Sequence, residues 1–171
     1  MGVGTIEDLR AMIAADNACT LAAESYEFYK ASDPGAWEKK AALVGTGHCV
    51  PLVQAAGGAP VASLWVKGPK VKGNSSIPVG TVIATFGKTD KYENAATGNH
   101  AAIFMSISDK GIVVVDQWKL KDPARPSQRT LKFKNGVGSA SNDGDQFSVV
   151  LTKKITTAAS KVGTGWFSKV S

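Results

Sequence analysis

The chain has 171 residues, of which 43% are hydrophobic and 20% are charged. These values exclude a largely disordered chain, and we expect a single domain, spanning residues 1–171, with its own hydrophobic core. The formal net charge of +6 favours anionic partners. Because the basic residues are scattered and form no block with interleaved aromatic residues, we expect no nucleic acid among these partners.

The sequence predicts neither a membrane-spanning segment nor a secretory signal peptide. A transmembrane helix needs about 20 consecutive apolar residues, and no such run occurs, so we expect no membrane insertion. The first residues lack a basic start followed by an apolar run, and they include Glu7 and Asp8. We therefore expect secretion without a cleavable signal peptide, by machinery other than the general secretory route.

The first third of the chain has the pattern of helices. Thr5 and Asp8 fit an N-cap and its partner, and apolar residues follow at helical spacing. Residues 21–29 are rich in alanine, glutamate and aromatic residues and are predicted to be helical as well. A further helix is predicted at residues 49–56, between a glycine-rich turn and a pair of glycines.

After residue 75 the pattern changes to apolar segments rich in β-branched residues, which predict strands. Residues 101–107 and 112–118 form a predicted β-hairpin around residues 108–111. Further strands are predicted at residues 79–86, 131–133, 147–151 and 163–171. Helices followed by an antiparallel sheet indicate the α+β class.

Cys49 is the predicted nucleophile. A cysteine attacks as its thiolate, which a helix N-terminus or a nearby imidazolium stabilises. Cys49 begins a predicted helix, where backbone N–H groups can also hold the oxyanion of a tetrahedral intermediate. The alternative is a small buried hydrophobic residue. The other cysteine, Cys19, lies in a predicted helical stretch, and whether it forms a disulfide stays open.

His100 is the predicted base and one of only two histidines in the chain. It lies at the start of a predicted strand, where it can face a thiol at a helix start when the helix packs on the sheet. The alternative is a partly exposed loop histidine. His48 directly precedes the cysteine, so that its side chain diverges from the sulfur, and we interpret it as an auxiliary or structural residue.

A third residue is expected to orient the imidazole through its other nitrogen. Asp116 interrupts an apolar strand, where an unpaired carboxylate is unfavourable, and Gln117 is the alternative orienter. Asp116 exposed on an edge strand is the other interpretation. A three-residue hairpin loop puts His100 and Asp116 on one face of the sheet, because side chains alternate along strands. They would then lie well apart along the strands, so that a closer contact requires a bulge or a longer loop.

The motifs of several other active sites do not occur in the sequence. There is no Cys-x-x-Cys or His-Glu-x-x-His for a metal, no Walker phosphate-binding loop and no Gly-x-Ser-x-Gly of serine hydrolases. We expect neither a metal nor another cofactor.

Four segments in this order resemble a known group of enzymes. They are Gly-His-Cys-Val, Ile-Pro-Val-Gly-Thr-Val-Ile, Gly-Asn-His-Ala-Ala-Ile-Phe and Val-Val-Asp-Gln-Trp, at residues 47–50, 77–83, 98–104 and 114–118. The stretch from about residue 40 to about residue 120 resembles the NlpC/P60 and CHAP superfamily of papain-like peptidoglycan amidases. More narrowly, it is similar to the type VI secretion amidase effectors of the second and third families.

The resemblance implies a papain-like core with N-terminal helices packed on an antiparallel sheet. It makes Cys49 the nucleophile, His100 the base and Asp116 the third member. The acidic third member departs from the NlpC/P60 pattern, in which histidine or asparagine is frequent at that place. His48, Tyr92, Asn99 and Trp118 are predicted to line the substrate groove, with packing or turn formation as their alternative roles.

The resemblance also implies a substrate and partners. The substrate is peptidoglycan, cut at the D-alanine–meso-diaminopimelate cross-bridge, with the γ-D-glutamate–meso-diaminopimelate bond as the alternative. The partners are the type VI secretion machinery, which delivers the toxin into the periplasm of a target bacterium, and a cognate immunity protein. A non-catalytic wall-binding module, or an acyltransferase or deamidase with the same cysteine and histidine, are the alternative functions.

Overall fold

The structure is a computed structural model and describes residues 2–155. Within this range it has three α-helices: α1 (Ile6–Ala14), α2 (Pro34–Glu38) and α3 (Cys49–Gly57). The eight strands in the same range are β1 (Gly2–Val3), β2 (Tyr26–Lys30), β3 (Val66–Lys70), β4 (Val82–Thr85), β5 (Ala101–Ile107), β6 (Gly111–Asp116), β7 (Ser127–Lys132) and β8 (Phe147–Lys153). The predicted α+β class is confirmed.

The described strands form one antiparallel sheet in the order β1-β2-β8-β4-β5-β6-β7, and β3 also pairs with β8. β8 is therefore the strand that joins the N-terminal part of the sheet to the β4–β7 meander. The sheet brings together segments from both ends of the described chain, so that its register depends on long-range contacts.

Both faces of the sheet are covered by hydrophobic cores. The helix α1 contributes Leu9 and Met12 to one core, and α3 contributes Leu52 and Val53 to the other. Successive residues of β4, β5 and β6 alternate between the two cores. This two-sided burial explains why these strands are almost continuously apolar in sequence.

The helix predicted for residues 21–29 is wrong. This segment forms a short 3-10 helix, Ala23–Ser25, followed by the strand β2. Phe28 is buried in the core beside α1 and Tyr29 in the core beside α3, as the two faces of a strand require. Packing on both faces thus overrides the helical propensity of the alanine and glutamate residues. Cys19 lies in the irregular segment before β2 and not in a helix as predicted.

The β5–β6 hairpin is confirmed around residues 108–111, and its loop has one residue more than the three-residue loop that would put His100 and Asp116 on one face. Ile107 pairs with Ile112, so that four residues, rather than three, separate the innermost paired positions. A four-residue loop alone would put His100 and Asp116 on opposite faces, because one residue of register change turns every side chain over. The strand predicted at residues 163–171 lies outside the described residues.

A β-bulge in β5 brings His100 and Asp116 back to the same face of the sheet, which the four-residue loop alone would prevent. Between Phe104 and Ser106 the pairing with β6 shifts by one residue, which leaves Met105 as the extra residue. The shifted register returns His100 and Asp116 to the same face and places Asp116 two positions from the residue opposite His100. The bulge is thus the local feature that lets these two side chains meet.

The packing of α3 on the sheet gives a direct stability prediction. Leu52 is fully buried, so Leu52→Ala leaves a cavity and should lower the free energy of unfolding by about 2–5 kcal/mol. Leu120→Ala is the matched control, because Leu120 is 93% exposed. Urea denaturation measures both. A loss at Leu52 no larger than the loss at Leu120 would contradict the packing described here.

Candidate active site

Cys49 is the first residue of α3, and a tight glycine-containing turn precedes it. His48 is the N-cap in an extended conformation and makes no capping hydrogen bond with its side chain. Gly47 has a φ of +83°, and a Cβ at this position would lie 2.9 Å from Leu43. Glycine is therefore required for the turn. The turn leaves the first N–H groups of α3 without helical partners, next to a half-buried thiol.

The side chain of Gln117 holds the turn in position. Its Oε1 accepts a hydrogen bond from the Val44 N–H at 2.9 Å. Its Nε2 donates to the carbonyl oxygens of Val44 at 2.9 Å and His48 at 2.7 Å. Gln117 is fully buried. It therefore fixes both ends of the turn before the cysteine, and it does not orient His100 as one alternative proposed.

His100 and Asp116 form a buried pair. The distance from His100 Nε2 to Asp116 Oδ2 is 2.8 Å, and the exposed fractions of the two residues are 6% and 0%. The backbone N–H of His100 donates to the Thr85 hydroxyl at 2.9 Å, which fixes the start of β5. Because Nε2 is occupied by Asp116, Nδ1 is the ring nitrogen available to a further partner.

The further partner is the thiol of Cys49. Burial raises the pKa of this thiol, but interactions with the His100 side chain, the Ala101 N–H and the Tyr92 side chain outweigh burial and lower it. Burial also lowers the pKa of His100, and hydrogen bonding to Asp116 and Cys49 outweighs it and raises the pKa to about 9. The two shifts together favour a thiolate–imidazolium pair at neutral pH.

A groove of about 710 Å³ opens beside the thiol. Three of the four predicted substrate-binding residues line it: His48, Tyr92 and Asn99. The ring of Tyr92 packs 5.0 Å from Trp65 and 6.2 Å from Phe86, between ring centroids. This packing holds the Tyr92 hydroxyl near the sulfur, and burial together with Cys49 raises its pKa above the ordinary value.

The other two predicted groove residues, Asn99 and Trp118, differ in their position. Asn99 Oδ1 accepts from the Ala95 N–H at 2.6 Å, so that it shapes the loop at the groove wall. Trp118 does not line the groove. It lies edge-on to His100, with 6.4 Å between the ring centroids. Its contacts are those of a residue that packs behind the imidazole.

Two cations near Asp116 were not identified from the sequence. Arg129 Nε donates to Asp116 Oδ2 at 2.7 Å, and Lys121 Nζ lies 3.9 Å from Asp116 Oδ1. Both cations also lie over the ring of Trp118, at 4.9 Å and 4.6 Å. Arg129 falls in a mostly polar strand, Ser-Gln-Arg-Thr-Leu-Lys, which has no local signature of an active site.

Comparison with known proteins identifies the family. A family model described as domesticated amidase effector 2 matches residues 20–150. The chain belongs to this family. It is 46% identical over 104 residues to a type VI secretion amidase effector 2 protein of Salmonella typhi, a match that covers 59% of this chain and 76% of that protein. It is 42% identical over 88 residues to domesticated amidase effector 2 of Ixodes scapularis, covering 50% of this chain and 56% of that one.

A solved structure supports the same assignment. Type 6 secretion amidase effector 2 superposes with a TM-score of 0.68 at 33% sequence identity, over 75% of this chain and 97% of that one. These matches confirm the resemblance to the type VI secretion amidase effectors, specifically the second family, and with it the papain-like fold. In residues 2–155, no helix is long and apolar enough to cross a membrane.

The role of Gln117 is tested by an isosteric change. Gln117→Glu removes the two donations from Nε2 and puts a carboxylate against the carbonyl oxygens of Val44 and His48. We expect a loss of about 2–3 kcal/mol in the free energy of unfolding, measured with urea. The control, Gln128→Glu, makes the same change at an exposed position of β7 and should stay within about 0.5 kcal/mol of wild type. Equal stability of the two variants would remove Gln117 from this role.

The ion pair predicts an unusual dependence of stability on pH. The raised pKa of His100 stabilises the fold below its ordinary value of 6.5, and this stabilisation is lost as pH rises through about 9. The lowered pKa of Cys49 stabilises the fold above the ordinary value of 9.0, and this stabilisation is lost as pH falls. Between pH 6.5 and pH 9, the folded protein with its ion pair and the unfolded chain bind the same number of protons at these two residues. Their opposite effects on the pH dependence of the free energy of unfolding therefore cancel.

Replacing Cys49 should reveal the pH dependence of stability that His100 contributes on its own. Cys49→Ala keeps the His100–Asp116 bond and removes the compensating thiolate, so its free energy of unfolding should fall as pH rises from 6.5 toward 9. Wild type should stay flat over the same window, after subtraction of a Cys49→Ala, His100→Gln double variant. Urea denaturation at several pH values measures all three. Parallel curves for wild type and Cys49→Ala would mean that no thiolate–imidazolium pair forms.

Proposed function

We propose that the chain is a cysteine amidase that hydrolyses peptide bonds in bacterial peptidoglycan, as one domain spanning residues 1–171. One observation carries the proposal: Cys49, His100 and Asp116 form a connected series of interacting side chains beside an open groove. Membership of an amidase-effector family gives the reaction class, and the resemblance to papain-like peptidoglycan amidases gives the substrate class.

The first half of the reaction forms an acyl-enzyme. The Cys49 thiolate attacks the carbonyl carbon of the scissile amide, and the carbonyl oxygen becomes an oxyanion. The His100 imidazolium then gives its proton to the leaving nitrogen, the carbon–nitrogen bond breaks, and the amine departs. The products at this stage are a thioester on Cys49 and a neutral His100. Asp116 keeps the ring oriented throughout, through its hydrogen bond to Nε2.

The second half of the reaction returns the enzyme to its starting state. Neutral His100 takes a proton from water, and the resulting hydroxide attacks the thioester carbon. The carbon–sulfur bond breaks, the carboxylic acid product leaves, and the Cys49 thiolate again faces the His100 imidazolium. A histidine with a pKa of about 9 holds the proton firmly in the resting enzyme and releases it to the strongly basic leaving amine.

Hydrogen-bond donors for the oxyanion are present at the start of α3. The backbone N–H of Cys49 is one of the N–H groups that the helix leaves unpaired. The Tyr92 hydroxyl is the second donor that we assign, because it lines the groove and interacts with the sulfur. Its raised pKa keeps the hydroxyl protonated, so that it can donate. His48 and Asn99, on the groove wall, are assigned to substrate binding.

The biological setting follows from the family. We propose delivery by the type VI secretion machinery, action in the periplasm of a target bacterium, and a cognate immunity protein in the producer. The D-alanine–meso-diaminopimelate cross-bridge is the proposed scissile bond, and the γ-D-glutamate–meso-diaminopimelate bond is the alternative. The positive net charge of the chain favours adsorption to the anionic cell wall.

Digestion of purified sacculi tests the proposal. The wild-type protein should release shortened or uncrosslinked peptides, identified by mass spectrometry of the muropeptides, whose masses distinguish the two bonds. Cys49→Ala should lose at least about a thousand-fold in rate, because the nucleophile is removed. Cys19→Ala is the matched control and should retain activity, because Cys19 lies apart from His100, in the segment after α1.

Two outcomes would contradict the proposal. Intact muropeptides after treatment with wild-type protein would exclude the hydrolase. If Cys49→Ala then still sediments with sacculi as well as wild type does, a wall-binding module on the same scaffold is the better description. Activity retained by Cys49→Ala would instead exclude the assigned nucleophile.

A further inference from the structure

We propose that Arg129 is a positioning residue that sets the charge of the Cys49–His100–Asp116 site. Lys121 contributes to the same charge with a smaller effect. The inference rests on the proposed function, because it concerns the same three side chains. Arg129 shares the atom Asp116 Oδ2 with His100: the guanidinium Nε donates to it at 2.7 Å, and the imidazole Nε2 lies 2.8 Å from it. A permanent cation and the base therefore compete for one oxygen of one buried carboxylate.

The surroundings of Arg129 hold it in place. One guanidinium nitrogen donates to Asn142 Oδ1 at 2.7 Å, and the guanidinium carbon lies 4.9 Å from the centre of the Trp118 ring. Trp118 in turn packs edge-on to His100. The guanidinium is thus fixed at both ends, so that its charge acts at a constant distance from the imidazole.

Within residues 2–155, charged and titratable groups surround His100 from several elements. Cys49 from α3 and Asp116 from β6 interact with it directly, and Tyr92 interacts with Cys49. Arg129 from β7 and Lys121 from the loop after β6 act through Asp116. With a thiolate, an imidazolium and a carboxylate, the two extra cations give the cluster a net charge of about +1 by addition of formal charges. Without them the same cluster would carry about −1.

This difference in charge has a direct chemical consequence. The two cations stabilise the Cys49 thiolate and the oxyanion that follows it. They also limit how strongly Asp116 holds the imidazolium, because Coulomb repulsion from a cation opposes protonation of the ring. The base must be deprotonated in the second half of the reaction. Arg129 therefore keeps His100 able to lose its proton in a buried site that Asp116 alone would hold charged.

The experiment reads the protonation of the site without needing a substrate. In a Cys19→Ala background, the rate of Cys49 alkylation by iodoacetamide is measured from about pH 4 to about pH 10. Its lower inflection reports formation of the thiolate, and its upper inflection reports loss of the His100 proton. The variants are Arg129→Gln, which removes the charge, Arg129→Lys, which keeps it, and Lys121→Gln. Arg10→Gln is the charge-matched control, since Arg10 pairs with Glu24 on the exposed surface.

We expect both inflections of Arg129→Gln to move to higher pH by on the order of one unit. Lys121→Gln should move them in the same direction by less, because its ammonium lies 3.9 Å from the other carboxylate oxygen. Arg129→Lys and Arg10→Gln should keep the wild-type inflections. If Arg129→Gln fails to fold in a thermal melt, Lys121→Gln still tests the direction of the shift.

A purely structural arginine gives a different result. The melting temperature of Arg129→Gln would then fall, with both inflections unmoved, and this outcome would overturn the inference. Inflections that shift equally in Arg129→Lys and Arg129→Gln would overturn it as well, because charge would not be the cause. If Arg129→Gln shows the shifts but the wild-type protein digests no sacculi, the role of Arg129 stands and the proposed substrate fails.

Discussion

The candidate active site depends on the pairing of the buried Asp116 carboxylate with the cations around it. The carboxylate is fully shielded from water, and its hydrogen-bond partners are two cations, the His100 imidazolium and the Arg129 guanidinium, which compensate its charge. Burial favours the neutral acid, but His100 and Arg129 outweigh burial and lower the pKa of Asp116. The carboxylate in turn orients the ring that acts on Cys49. Removing either cation would leave the buried carboxylate less fully compensated, so His100 and its neighbours are held together by electrostatics as well as by packing.

Adjacent residues of one strand position the two halves of the site. Asp116 ends β6 and points to the face where it meets His100, and Gln117 follows it and points the opposite way, to the turn before Cys49. Neighbouring side chains of an extended chain point to opposite faces, so adjacent residues can contact the two different parts of the site. The base is held from one side of the strand and the nucleophile from the other. A shift of register by one residue would exchange these roles and destroy both, which explains why the bulge at Met105 matters for chemistry.

The sequence was sufficient where local pattern determines structure. The cap at Thr5, the glycine-rich turn before Cys49 and the apolar hairpin strands all act within a few residues, and α1, α3 and the β5–β6 hairpin are confirmed. The β2 strand was not predictable from residues 21–29, because its burial is created by strands that come later in the chain. The same is true of Arg129: its pattern is that of a half-exposed strand, and only the pairing of β6 with β7 brings it to Asp116.

The two cysteines show that the surroundings of a thiol, and not the residue type alone, decide the direction of its pKa shift. Both are partly buried, and burial is the largest influence on each, raising the pKa. At Cys19 a hydrogen bond with the Leu21 backbone lowers the pKa, but burial and the nearby Asp16 carboxylate outweigh it, so the pKa stays raised. At Cys49 the imidazole of His100, the N–H of Ala101 and the Tyr92 side chain together outweigh burial. The proposed thiolate therefore depends on the junction of a helix start with the edge of a sheet. That junction exists only because α3 packs on the core that β4, β5 and β8 share.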